Sequence, residues 1–334
     1  MLDGITPNAT GSIFGWDFQI NAAILLFLRE PDKITKLRVE GAKEDIEIYK
    51  GNQVTFAQCK SISKAGDYSN VSKNYNKALE TLNRAISTTP NCENLIFVTN
   101  TDKPLGADKN IFGGFTWMDY AELPPASAKK IQDVIKKNKL TSIDTAKLKV
   151  CVIPFISNDF KTRYRCISET VNDFLNRIDI DSACGEELMM VWQQMLLHNA
   201  TQSPEDICLS KEDMVWPLIV ILMEKSNCDW LNDEMDDALQ DAATRKYKKL
   251  ISVCENKINL CFKVLYAYEG FGPTMNAGEK MKNFVLEKWT DYVDEIANDI
   301  QSAEEREMVT KIILYRILRR RIDIDKIKSA VNMR

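Results

Sequence analysis

Residues 44–60, EDIEIYKGNQVTFAQCK, decide the fold of this chain. Two segments with alternating polar and apolar residues, 44–50 and 53–60, are joined by Gly51-Asn52. This pattern is typical of two antiparallel strands joined by a tight two-residue turn, because glycine and asparagine adopt the backbone conformations that such turns need. The segment therefore predicts a β-hairpin.

The turn also determines which side chains meet across the hairpin. Pairing of residue 50 with residue 53 places Asp45 opposite Gln58. Side chains alternate along a strand and facing residues share one face, so we expect Asp45, Gln58 and Lys60 to lie together. A carboxylate, an amide and an ammonium group are thus predicted in one small area.

These residue types suit metal-assisted phosphodiester hydrolysis. The carboxylate of Asp45, the amide oxygen of Gln58 and the backbone carbonyl of Cys59 are hard oxygen ligands of the kind that Mg²⁺ or Mn²⁺ binds. Lys60 can orient an attacking water or stabilise charge on the phosphate oxygens. Glu40, at the end of the preceding strand, is a further ligand or a general base. From the spacing alone, an exposed Asp–Lys pair contributing under ~1 kcal/mol is the alternative.

The segments around the hairpin alternate between helix-like and strand-like patterns. Helices are predicted at 17–29, with Asp17 as the N-cap, and at 71–86 and 126–137; strands are predicted at 35–40, 94–99 and 148–156. This order indicates an α/β (α+β) fold in which a mixed central sheet is flanked by helices. From about residue 159 helical patterns follow one another, 233–268 among them, which predicts an all-α domain after a soft boundary near residue 180.

The composition excludes several classes of function. His198 is the only histidine among 334 residues, so zinc sites with paired histidines and most histidine-centred relays are excluded. Nine cysteines without a C-x-x-C pair favour a reduced, cytoplasmic setting. The apolar runs 22–28 and 216–223 are shorter than the ~20 residues of a membrane span, and no signal-peptide pattern is present, so we expect no membrane association.

The hairpin residues carry a resemblance to a known superfamily. Asp45 followed by Gln58-x-Lys60 resembles the PD-(D/E)XK nuclease core in the variant where glutamine replaces the usual acid. Residues 15–19, GWDFQ, are similar to the Gly–aromatic–Gln signature that opens one branch of that superfamily. That branch contains double-stranded DNA endonuclease effector domains of bacterial anti-phage systems such as CBASS and Lamassu, and a Lamassu-type effector subunit is the nearest match.

The resemblance implies roles for the individual residues. Asp45 and Gln58 would bind the metal ion, Lys60 would be catalytic, and Glu40 and Gln19 would support them. It also implies a restriction-endonuclease-like nuclease domain over residues 1–180 and an α-helical regulatory or partner-binding domain over 181–334.

The same resemblance implies cofactors and partners. Mg²⁺ or Mn²⁺ would be the cofactor and double-stranded DNA the substrate. An SMC-like or other ATPase subunit would be the partner, and the active form would be a homo-oligomer. Two alternatives remain open: a catalytically silent interaction subunit of a defence or DNA-repair complex, and a purely helical scaffold, which would require the first 150 residues to lack a sheet.

Overall fold

The structure is a computed structural model that describes residues 10–64, 66–106, 113–117, 123, 125–156, 158–226 and 237–333. Its contacts divide the chain into two compact units. The sheet unit comprises Met1–Met214 and Ala330–Arg334, and the helical unit comprises Val215–Ser329. The chain therefore leaves the sheet unit once and returns to it at its C-terminal end.

The sheet unit contains six strands and most of the elements that the sequence predicts. Its helices are α1 (Thr10–Arg29), α2 (Val71–Ser87), α3 (Pro125–Lys137), α4 (Phe160–Arg177), α5 (Gly185–Ala200) and the start of α6 (Lys211–Glu224), with a 3₁₀ turn at Ser182–Cys184. Its strands are β1 (Lys36–Val39), β2 (Ile46–Lys50), β3 (Gln53–Lys60), β4 (Cys92–Thr99), β5 (Leu148–Val152) and β6 (Leu209–Ser210).

The six strands form one mixed sheet in the order β5-β4-β3-β2-β1-β6. β1, β2 and β3 are antiparallel, β3, β4 and β5 are parallel, and β6 pairs antiparallel with β1. The predicted fold class, a mixed sheet flanked by helices and followed by a helical region, is confirmed. The short β6 is an addition, since its two residues show no strand pattern in the sequence.

The hairpin has the predicted register. Ile46 pairs with Ala57 and Lys50 pairs with Gln53. Gly51 has a φ of +59°, a left-handed conformation that glycine adopts without a steric penalty. The turn therefore sets the register of β2 against β3 in the way the sequence indicates.

Helices cover both faces of the sheet. Apolar residues of α2, among them Tyr75, Leu79 and Leu82, pack in one core with β3, β4 and β5. In the described part of the chain, α1 has the length and apolar character of a membrane span, yet 56% of that window is buried inside the structure. Its buried residues, Phe18 and Ile20 to Leu28, make it a core helix of the sheet unit.

The start of α1 differs from the prediction. The helix begins at Thr10, so Asp17 lies inside it and is not the N-cap. The Asp17 carboxylate instead accepts hydrogen bonds from the Tyr164 hydroxyl (2.7 Å) and from the Asn21 amide (3.0 Å). This carboxylate joins the N-terminal ends of α1 and α4, a long-range contact that local spacing does not reveal.

A buried arginine joins the sheet to the segment after α5. Arg38 on β1 is 1% exposed and donates to the carbonyls of Gln202 and Ile207, both at 2.9 Å, and of Asn199. The Asn199 side chain in turn accepts from the backbone of Val39 (3.2 Å). These contacts attach residues 199–207, which follow or end α5, to β1 of the sheet unit.

The helical unit is built from α-helices in its described residues. They are the rest of α6, then α7 (Asp237–Lys246), α8 (Lys248–Glu255), α9 (Ile258–Gly270), α10 (Ala277–Lys288), α11 (Val293–Ile296), α12 (Ala303–Arg319) and most of α13 (Arg321–Val331), with a 3₁₀ turn at Trp289–Asp291. The pattern predicted over 233–268 forms three separate helices, and residues 233–236 lie outside the described residues. Ten residues of α12 are buried, which makes it the central helix of this unit.

The C-terminal residues are held in the sheet unit by one lysine. Lys211 is 8% exposed, and its ammonium donates to the carbonyls of Asp32 (2.9 Å) and Val331. Burial lowers the pKa of this amine. The lysine thereby links the start of α6 to the last turn of α13.

Arg38→Ala should lower the free energy of unfolding by about 3 kcal/mol, because it leaves buried carbonyl groups without donors and opens a cavity. Urea denaturation followed by circular dichroism measures the change. Arg165→Ala is the matched control: its side chain is 69% exposed, and a change within about 0.5 kcal/mol is expected. Equal losses in the two variants would contradict the structural role of Arg38.

Candidate active site

The predicted trio meets at the open end of the hairpin. One oxygen of Asp45, Oδ2, accepts hydrogen bonds from the backbone N–H of Cys59 (2.8 Å) and from the Gln58 amide. The ammonium nitrogen of Lys60 lies 4.0 Å from the same oxygen. The carboxylate, amide and ammonium groups are therefore brought together, as the register predicts.

Two further predicted residues reach this point from other elements. The Gln19 side chain on α1 forms hydrogen bonds with the carboxyl groups of both Glu40 and Asp45. Glu40 follows β1 with a φ of +52°, and its N–H donates to the Asp45 carbonyl (2.8 Å). A non-glycine residue in this conformation costs about 1–2 kcal/mol. The strained backbone directs the Glu40 carboxyl toward Asp45.

Glu47 fixes the loop that precedes Asp45. Its carboxylate accepts hydrogen bonds from the backbone N–H of Lys43 (2.8 Å) and from the Tyr49 hydroxyl (2.6 Å). A Cβ atom on Gly41 would lie 2.5 Å from this carboxylate, so a larger residue at position 41 would have to displace the Glu47 side chain. The Glu47 carboxylate is thus used to hold this loop and is not part of the candidate active site.

Glu44 is a fourth acidic residue that sequence reasoning missed. It is 4% exposed, and neither of its carboxylate oxygens has a hydrogen-bond partner among the described residues. Burial raises its pKa to about 8, and the negative charge of Asp45 adds to the rise, while the cations Lys60 and Arg84 oppose it. The adjacent acidic residues Glu44 and Asp45 were the signal for this residue in the sequence. The burial of Glu44, however, depends on the loop that Glu47 holds.

Thr81 on α2 is the second missed residue. Its hydroxyl contacts the amide oxygen of Gln58 and lies 3.0 Å from the Ala78 carbonyl. In this orientation Gln58 presents its amide nitrogen to Asp45. Turning the amide by 180° would present the oxygen, and Thr81 could then accept from the amide nitrogen while donating to Ala78. Thr81 therefore supports both orientations of Gln58.

The site contains more carboxyl groups than the one ammonium group, that of Lys60, can neutralise. Burial raises the pKa of Asp45, although Lys60 and the hydrogen bonds to its carboxylate oppose the rise. Burial and the charge of Asp45 also raise the pKa of Glu40. Together with Glu44, these buried carboxyl groups create a place where a cation is favoured.

The donor set fits a hard divalent cation. Among the residues that the structure describes, no group of three or more His, Cys, Asp or Glu side chains is placed to hold a metal ion by itself. Mg²⁺, however, usually binds one or two carboxylates and completes its shell with neutral oxygens and water. Asp45 with the Gln58 amide oxygen and the Cys59 carbonyl matches this requirement, and a cation bound there would lower the pKa of the neighbouring Glu44 and favour its ionised form.

Comparison with known proteins gives limited further information. No protein-family model and no curated protein matches the chain. The chain is similar to a solved structure of the Acinetobacter baumannii Cap4 SAVED/CARF-domain containing receptor with the cyclic trinucleotide 2'3'3'-cAAA. The identity is 12% and the TM-score 0.38, and the match covers 62% of this chain and 44% of the receptor chain. This chain thus spans less than half of that receptor, and the functional argument rests on the site.

Glu44→Gln should change the pH dependence of stability. The pKa of Glu44 is about 8 in the folded protein and near 4.5 when unfolded, so the folded state binds the extra proton in this window. The free energy of unfolding of the wild type therefore falls by on the order of 5 kcal/mol as pH rises from 4.5 to 8, and the variant lacks this loss.

Thermal unfolding in EDTA, at pH values below and above this window, tests the prediction. Glu44→Gln should match the wild type at the acidic end and melt several degrees higher at the alkaline end. Glu80→Gln, at an exposed position on α2, is the control and should leave the profile unchanged. Parallel profiles for the wild type and Glu44→Gln would show that the Glu44 carboxyl is not perturbed.

Proposed function

We propose that the chain is a metal-dependent DNA endonuclease of the PD-(D/E)XK type that cleaves double-stranded DNA as an effector of a bacterial anti-phage system. The observation that carries the proposal is the convergence of Gln19, Glu40, Asp45, Gln58 and Lys60 from α1, the end of β1 and the β2–β3 hairpin. The sequence resemblance selects these residues as one site. The defence role is supported by that resemblance.

The proposed cofactor is Mg²⁺ or Mn²⁺. Asp45, the amide oxygen of Gln58 and the Cys59 carbonyl would hold the ion, with Glu40 beside them. A bound ion of this kind supplies an acidified water and neutralises charge on the phosphate. Because Gln58 is neutral, this set binds more weakly than one with a second carboxylate would.

The side chains around these proposed metal ligands would carry out the remaining chemistry. The Lys60 side chain is 29% exposed, so its ammonium group can reach the phosphate oxygens and stabilise the charge that develops there. Glu40, oriented by the Gln19 amide, is placed to accept a proton from the attacking water at its carboxylate. Gln19 is a positioning residue, since it acts through the two carboxyl groups that it holds.

Such an enzyme requires control, because an unregulated nuclease would destroy the DNA of its own host. We assign this control to the helical unit, through an SMC-like or other ATPase partner in the cytoplasm. Cleavage of both DNA strands by a protein with one site per chain requires two copies, so the active form is proposed to be a homo-oligomer.

Purified wild-type protein should convert supercoiled plasmid to linear DNA with Mg²⁺ or Mn²⁺, and EDTA should abolish cleavage. Lys60→Ala should reduce the rate at least about 100-fold, since it removes a group that stabilises the transition state. Agarose gels measure the rates. The exposed control Lys136→Ala on α3 should cleave at a rate close to that of the wild type. Equal rates for the wild type and Lys60→Ala would refute the assignment.

A catalytically silent interaction subunit is the second candidate. It is favoured by one observation: Gln58 presents its amide nitrogen, and not its oxygen, to Asp45. In a silent protein this hydrogen bond would be permanent, and the Gln58 oxygen would never turn toward a cation. Metal binding therefore separates the two functions without any measurement of cleavage.

Gln58→Glu should bind Mn²⁺ about tenfold more tightly than the wild type, because it adds a negative charge beside Asp45. Isothermal titration calorimetry measures the affinity. Gln53→Glu makes the same change at the exposed other end of β3 and should leave the affinity unchanged. A folded Gln58→Glu protein with no measurable Mn²⁺ binding would contradict the metal site.

A further inference from the structure

Large apolar side chains are exposed at the N-terminal ends of α1 and α4. Ile13 and Trp16 on α1 are 66% and 51% exposed, and Phe160 at the start of α4 is 66% exposed. We call Trp16 and Phe160 the aromatic rim, and Ile13 lies about one helical turn before Trp16 on α1. Since water contact with such large apolar groups is unfavourable, their clustering at one place suggests a binding surface.

Contacts within the sheet unit hold the two helix ends together. The Tyr164 hydroxyl donates to Asp17, the residue after Trp16, at 2.7 Å. The ring of Phe160 lies 4.4 Å from the ring of Tyr164. The Asp17–Tyr164 hydrogen bond therefore links the part of α1 that carries Trp16 to the part of α4 that carries Phe160.

The aromatic rim adjoins the candidate active site. Trp16 precedes Gln19 by three residues, so the two side chains are neighbours on one face of α1. Gln19 forms hydrogen bonds with Glu40 and Asp45. A Cβ atom on Gly15 would lie 3.9 Å from the hydroxyl of Ser61, the residue after Lys60. Trp16 thus lies about one helical turn from Gln19, the residue that contacts two carboxyl groups of the candidate active site.

Cationic groups accompany the aromatic rim. The Arg163 guanidinium lies 3.6 Å from Asp17 and over the ring of Phe14 at 5.2 Å. Lys161 and Arg165 are exposed in the first two turns of α4. Exposed rings beside cations are the combination by which proteins bind unpaired nucleic-acid bases, with the rings stacking on bases and the cations contacting phosphates.

We propose that Trp16 stacks on an unpaired base of the DNA next to the phosphate that is cleaved. The bases of an intact duplex are stacked on one another and offer no free face to this ring. The preferred DNA would therefore contain unpaired bases, as a bubble, a flap or a single strand does. This inference rests on the proposed function, because it takes DNA as the substrate of the neighbouring site.

Fluorescence anisotropy in EDTA, which prevents cleavage, tests the proposal with three fluorescein-labelled probes. These are a single strand, its fully paired duplex, and the same duplex with a central mismatched bubble. Trp16→Ala should weaken binding of the bubble and the single strand about 5- to 100-fold, the range expected for loss of one base-stacking contact. Binding of the paired duplex should change much less.

Two further variants make the result specific. Trp16→Phe keeps a ring and should restore most of the lost affinity. Tyr266→Ala removes another exposed aromatic, 81% exposed on α9 in the helical unit, and should bind all three probes as the wild type does. Equal binding of the bubble by Trp16→Ala and Tyr266→Ala would overturn the proposal.

The remaining outcomes separate this inference from the proposed function. If Trp16→Ala binds all probes normally but converts an oligomer to monomers in size-exclusion chromatography, the aromatic rim is a protein interface and the inference fails. If the wild type binds the bubble through Trp16 but cleaves nothing with Mg²⁺ or Mn²⁺, the inference stands and the nuclease proposal fails. If the wild type cleaves plasmid while Trp16→Ala cleaves and binds equally well, only the inference fails.

Discussion

The two hydrogen bonds that β3 donates to Asp45 Oδ2, from the Cys59 backbone and the Gln58 amide, depend on one register. A slip of one residue between β2 and β3 would turn Gln58 and Lys60 to the opposite face of the sheet and leave the Asp45 carboxylate alone. The two-residue turn at Gly51 sets that register. Pairing of β3 with β4 places the two strands of the hairpin in the middle of the six-stranded sheet. Gln19 and Glu40 can meet Asp45 only after this pairing is in place.

The parts of the site that the sequence predicts are those determined by short-range geometry. Asp45, Gln58 and Lys60 follow from a two-residue turn and the alternation of side chains. Glu44 and Thr81 do not, because the burial of Glu44 depends on a loop held by Glu47, and Thr81 reaches Gln58 from a separate helix. The extent of the sheet unit was unpredictable for the same reason: the contacts of Arg38 join residues more than 160 positions apart, and nothing in the local pattern marks them.

The site also shows that a fold can retain residues that lower its stability locally. Glu40, Glu44 and Asp45 all have pKa values raised by burial, and Lys60 is the neighbouring ammonium group. Glu40 adds a left-handed backbone conformation. The rest of the sheet unit, with its continuous apolar core under α2, must offset these unfavourable contributions. Several destabilising features at one site are typical of residues that are retained for their chemical function and not for stability.

The return of the chain to the sheet unit has a consequence for its architecture. Because Lys211 holds the carbonyls of Asp32 and Val331, residues near 330 belong to the same unit as residues near 32. Along the sequence the helical unit is therefore an insertion between residues 214 and 330 of the sheet unit. Removal of residues from 330 onward would therefore damage the sheet unit, so excision of the helical unit requires joining residue 214 to residue 330.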